Sequence, residues 1–155
     1  MDRTIGDLLE TAIGYEIRSQ ELYRRALELV EDPRARAFLE ELVAEEERHQ
    51  HTLEELREWE IFDPSIPLED ETMAVAGDGA GLPEEIPPGT DLEGIVELAL
   101  RREHRARTLF QRMAAAARHP ELKTLFEKLA EEENSHHESV LERFRLHEGR
   151  PRDEM

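Results

Sequence analysis

Two stretches of this sequence have the residue types and spacing to hold a pair of metal ions. Glu46 and His49 stand three apart in Glu45-Glu46-Glu47-Arg48-His49. Glu133 and His136 stand three apart in Glu132-Glu133-Asn134-Ser135-His136, 87 residues further on. On a helix, residues three apart share one face, a turn apart. Each pair can therefore aim a carboxylate and an imidazole at one ion. The residues at core spacing around them are apolar: Phe38 and Leu42 before Glu46, Leu53 and Leu56 after His49, Leu125 and Leu129 before Glu133, Val140 after His136. Both pairs thus lie on stripes that should face a core. An ionised carboxylate there is costly unless it is paired or coordinates a metal.

The elements that would position them are helices, at about 4–31, 33–59, 91–118 and 120–147. Ile5, Leu9, Ala12, Glu16, Ser19, Tyr23, Ala26 and Val30 fall at steps of three and four, as do Leu92, Val96, Ala99, Glu103, Ala106, Phe110, Met113 and Ala117. Pro33 and Pro120 suit the first turn of a helix, and Asp91 suits an N-cap. Residues 61–91 are rich in proline and glycine and show little periodicity, apart from a short helical piece near 68–75. A connection this long inside a compact domain needs a task. The expected one is a crossover along the outside of a bundle, which makes the second and third helices parallel.

Shifting the chain by 87 brings its halves into register without a gap. Glu10 falls on Glu97, Glu16 on Glu103, Arg25 on Arg112, Pro33 on Pro120, Leu42 on Leu129 and His49 on His136. The chain reads as two duplicated helical hairpins, neither able to bury its apolar stripe alone. Packed together they form an all-α four-helix bundle with pseudo-twofold symmetry, a single domain over 1–155.

Height along the bundle completes the constellation. Glu16 lies 16 residues before Asp32, while Glu46 and His49 lie 14 and 17 after it. In an antiparallel hairpin these come level, and the turn near His119 does the same for Glu103, Glu133 and His136. Four Glu and two His converge at mid-bundle. Four carboxylates balance two divalent ions, with two carboxylates able to bridge and two to cap. Carboxylate with imidazole suits iron or manganese, with zinc as a substitute. No Arg or Lys stands out on the same stripes. Glu45 and Glu132 point about one helical step away and read as surface acids or as supports for the ligands. His51, His104 and His137 lie off the stripes, and His119 and His147 sit at helix ends.

Composition narrows the remaining classes. The formal charge of −18 argues against nucleic acid as a partner. No apolar run is long enough for a membrane span, and the first residues lack the pattern of a secretory signal. The chain has no cysteine, which excludes disulfides and thiolate sites and suits a cytoplasmic location.

The order Glu16, Glu46-x-x-His49, Glu103, Glu133-x-x-His136 resembles the ferritin-like superfamily, most closely the rubrerythrin-type di-iron domain, over nearly all of residues 4–147. The resemblance implies two iron ions bridged by Glu46 and Glu133 and capped by Glu16 and Glu103. It implies reaction of Fe(II) with O2 or H2O2, as a ferroxidase or a rubrerythrin-like peroxidase. Tyr23 matches a tyrosine found beside such sites. Two departures weigh against efficient peroxidase turnover. Rubrerythrins carry a cysteine-ligated iron that is impossible here, and their extra third-helix carboxylate is replaced by Ala106. A catalytic site would thus need a separate electron donor. The other readings are an iron-binding or storage component without turnover, and a metal-free acidic interaction module. A homodimer or higher homo-oligomer is expected, since a long linker permits hairpin exchange.

Overall fold

The computed structural model describes residues 4–67, 86, 87 and 89–147. Among them four helices form: α1 Ile5–Leu29, α2 Pro33–Leu56, α3 Leu92–Ala116 and α4 Pro120–His147. Local chemistry starts three of them. Thr4 and Asp7 make a reciprocal capping box, Asp7 N donating to Thr4 Oγ1 at 3.2 Å and Thr4 N to Asp7 Oδ2 at 3.0 Å. Asp32 accepts from Arg34 N at 2.8 Å, with Pro33 in the first turn of α2. Asp91 accepts from Gly94 N at 2.9 Å.

The first three helices end two or three residues short of what the apolar spacing suggests, and α4 ends at His147 as expected. After Leu56 the chain tightens into turns, with Trp59 N donating to Leu56 O at 3.1 Å and Phe62 N to Trp59 O at 3.1 Å. It then runs back past the start of α1. Ile5 N donates to Ile66 O at 2.8 Å and Gly6 N to Pro64 O at 3.0 Å. These bonds satisfy first-turn donors that a helix cannot satisfy itself. The approach depends on Gly6, because a Cβ there would meet Pro64 Cβ and O at 2.8 Å.

Two apolar clusters reveal how the helices run. One joins Ile5, Leu8 and Leu9 of α1 to Leu53 and Leu56 of α2, Phe110 and Met113 of α3, and Leu122 and Phe126 of α4. The other joins Tyr23 and Ala26 of α1 to Ala35, Phe38 and Leu39 of α2 and to Ile95 and Ala99 of α3. The C-terminal ends of α2 and α3 therefore share one end of the bundle. These two helices are parallel, and α1 and α4 run against them. α1 packs on α2, α3 on α4, and α1 on α3. The expected path of the crossover and its helical piece near 68–75 fall on residues 68–85, outside the described residues. Between the two clusters, at the height of Glu16, the core changes from apolar to ionisable.

Candidate metal centre

All six residues singled out by spacing meet in that middle layer. Glu16 and Glu133 are fully buried, Glu46, His49 and Glu103 nearly so, and His136 is partly buried. Their donor atoms fall into two groups, each with all atoms within 4.8 Å of one another: Glu16, Glu46, His49 and Glu133 in one, and Glu46, Glu103, Glu133 and His136 in the other. Each group has its own capping Glu and its own His. Glu46 and Glu133 belong to both.

Ten buried side-chain polar atoms among the described residues lack a hydrogen-bond partner, and nine of them belong to these six residues. They are both oxygens of Glu16, Glu103 and Glu133, one oxygen of Glu46, and Nδ1 of His49 and of His136. Buried polar atoms are ordinarily satisfied. Orphans gathered at one height, of carboxylate and imidazole type only, are a donor set that fits divalent metal.

The imidazole edges have separate surroundings. His49 Nδ1 faces inward, 2.9 Å from Glu133 Oε1 and 4.0 Å from Glu16 Oε2, without an aligned hydrogen bond. Nε2 faces outward, 2.8 Å from Glu132 Oε2 and 3.0 Å from Glu45 Oε1. The other oxygen of Glu45 lies 3.5 Å from His136 Nε2. Such outer carboxylates can hold the Nε2 proton and leave Nδ1 available to a metal ion. The Phe110 ring meets His49 edge-on at 5.9 Å and closes the apolar side.

Protonation follows from burial. Burial pushes the Glu16 carboxyl up to about 7, although His49 and Arg102 oppose it. Burial likewise pushes Glu133 up to about 8. For His49 burial acts downward, but the Glu133 and Glu45 carboxylates outweigh it and hold the imidazole up to about 11. Burial also works against the Glu45 charge, yet His136 and His49 keep that carboxyl well below its ordinary range. Without metal, then, the layer neutralises itself with shared protons and an imidazolium.

The spacing argument left Glu45 open between two readings and missed Arg102 and Tyr15. Glu45 is buried and bridges the outer edges of both histidines, so it supports ligands and is no surface acid. Arg102, one residue off the stripe that carries Glu103, is buried beside it. Its Nε donates to Ser19 Oγ at 3.0 Å, and its guanidinium lies 4.7 Å over the Tyr15 ring. Tyr15 in turn donates its hydroxyl to Arg102 O at 2.8 Å. Tyr15 and Arg102 are 87 apart, so the pair joins equivalent points of the two repeats. Tyr23 is buried in the apolar cluster above the layer, and burial first, then Tyr15, raises its hydroxyl pKa. Of the histidines set aside, His51 is exposed beside Glu55, and His104 bonds Arg107 on the surface. The side chains of His137 and His147 lie outside what is described.

Fold and site together define a ferritin-like four-helix bundle with a buried cluster of carboxylates and histidines at mid-height. A Thermotoga maritima protein described as ferritin-like and diiron-carboxylate has the same fold. It shares 16% identity, the alignment covers 92% of this chain and 95% of that one, and the TM-score is 0.72. The rubrerythrin family model matches residues 90–152, the hairpin that carries Glu103, Glu133 and His136. No curated protein matches the chain by sequence.

Proposed function

We propose that the chain binds two iron ions through Glu16, Glu46, His49, Glu103, Glu133 and His136, and that it oxidises Fe(II) with O2 or H2O2. The observation that carries this reading is the pair of overlapping donor groups with Glu46 and Glu133 in common. Two ions bound there would supply one electron each, which matches the two-electron reduction of H2O2 to water. The chain's own residues do the rest. Glu46 and Glu133 reach both positions, Glu16 and Glu103 one each. Glu45 and Glu132 hold the outer histidine protons. Phe110 and the leucines of the lower cluster exclude water, which strengthens every charge interaction inside.

Manganese or zinc could fill the same donors. The orphaned donors speak against a metal-free acidic module, since so many unpaired buried carboxylates are costly without a cation. In the absence of cysteine, electrons for repeated turnover would come from a separate donor. We read the protein as a cytoplasmic homo-oligomer. Among the described residues no helix is long and apolar enough to cross a membrane. The test is anaerobic titration with Fe(II) followed by O2 or H2O2. Binding of two Fe(II) per chain and a near-ultraviolet band of the ferric product are expected. Repeated peroxide consumption with an added reductant distinguishes turnover from storage, which stops after one oxidation.

A further inference from the structure

The buried donors need an entrance, and the geometry points to the face between α2 and α4 as the route by which metal ions enter. This inference rests on the dinuclear reading above. A cleft of about 290 Å³ opens there, lined by Glu45, Arg48, Lys128, Glu132, Ser135 and His136. It is lined by one of the six donors, His136, and by Glu45 and Glu132, whose oxygens contact the outer edges of the histidines. Two other clefts are lined by none of the six. One lies between α3 and α4 at Arg107, Gln111 and Asn134, the other at Gly6, Arg57 and Pro64.

The lining is suited to passing a cation inward. Glu45, His49 Nε2 and Glu132 bring their donor atoms within 4.8 Å of one another at the base of the cleft. Behind them the Glu133 oxygens, completely buried and without hydrogen-bond partners, belong to both inner groups. Glu132 is part-exposed, Glu45 almost enclosed, and Glu133 fully enclosed, so carboxylates mark successive depths from solvent to the centre. Arg48, largely exposed, pairs with Glu45. Arg48 would release Glu45 to an entering divalent ion, and His136 and the inner carboxylate oxygens would receive it next. Lys128 on the rim opposes the approach of cations.

Stopped-flow uptake of Co(II), followed by its visible absorption, tests the route without any redox step. Ser135→Trp should plug the exposed rim and slow uptake tenfold or more while the endpoint stays at two Co(II) per chain. Gln111→Trp, in the α3/α4 cleft, should load like the unsubstituted chain. Lys128→Glu should speed uptake several-fold at low ionic strength, with the gain vanishing in high salt. Loading of Ser135→Trp at the unsubstituted rate, or equal slowing by Gln111→Trp, overturns the entrance. If Ser135→Trp lowers the endpoint, Lys128→Glu decides: an unchanged low-salt rate overturns the route. If the unsubstituted chain fails to take up two Co(II), the dinuclear reading falls first and the entrance with it.

Discussion

His49 has carboxylates on both edges of its ring, with Glu133 and Glu16 on the inner side and Glu45 and Glu132 on the outer. Its removal therefore deletes a donor and strands the outer acids. His49→Ala and His136→Ala should each bind one metal ion weakly, measured by metal stoichiometry after gel filtration. Glu46→Ala or Glu133→Ala should do more harm, because those carboxylates reach both positions. His51→Ala is the control and should keep both ions. Glu45→Gln keeps shape but loses the charge that fixes the outer protons. Changes of this kind typically cost about 10–100-fold in metal affinity, to be read by competition with a chelator. Uptake must also expel protons from the cluster, since His49, Glu16 and Glu133 hold them in the metal-free protein. Metal affinity should fall as pH drops from 8 to 6, and calorimetry in buffers of different ionisation enthalpy should show net proton release. An affinity independent of pH would contradict the protonated cluster.

At the scale of elements, the helices are legible because their stripes repeat at helical steps, and the duplication makes each hairpin a check on the other. Glu16, Glu46 and His49 are legible because they interrupt those stripes and come level across one turn. Arg102 is not, and Glu45 is legible only as one of two readings. Each stands one residue from a stripe position, about 100° around its own helix. Whether that direction is solvent depends on the neighbouring helix, which single-helix periodicity does not contain. Arg102 reaches α1 at Tyr15 and Ser19 through its long side chain, a contact between hairpins that no spacing encodes. The return of residues 64–66 to the start of α1 is equally invisible, although Gly6 is its trace. Gly6→Ala should destabilise by about 1–3 kcal/mol, as overpacking does, measured by urea unfolding. Leu53→Ala, in the fully buried lower cluster, should cost about 2–5 kcal/mol. Neither change should alter the number of ions bound.

For the whole molecule, metal and protons compete for the same layer. Bound ions favour the native state by mass action, so metal-loaded protein should melt at higher temperature than chelated protein. Equal melting temperatures would sink the buried cluster. The chelated protein should also have its own pH slope. Glu16 and Glu133 titrate near 7 and 8 in the native state against an ordinary 4.5, so the native state holds protons that the unfolded chain has released. Their contribution is complete below pH 4.5 and is lost as pH rises through about 7 to 8. His49 has the same sign, its contribution lost between 6.5 and about 11. Glu45 acts oppositely, but only below 4.5. Chelated protein should therefore melt lower at pH 8 than at pH 6, and loading with metal should flatten or reverse that slope.

The pseudo-twofold axis relates the two halves of the centre, but their exposure differs. Glu16 and His49 are sealed, at 0% and 1%, whereas the His136 side chain is 28% exposed. On the entry route inferred above, one position would be a vault and the other its antechamber, and an ion in the vault would leave by way of the antechamber. The pair would behave as a last-in, first-out stack. A chain loaded with one Co(II), then with Zn(II), would release zinc first to a chelator and keep its cobalt. Two metals supplied in the reverse order would give the opposite arrangement of the same composition, each persisting as a record of the sequence of supply.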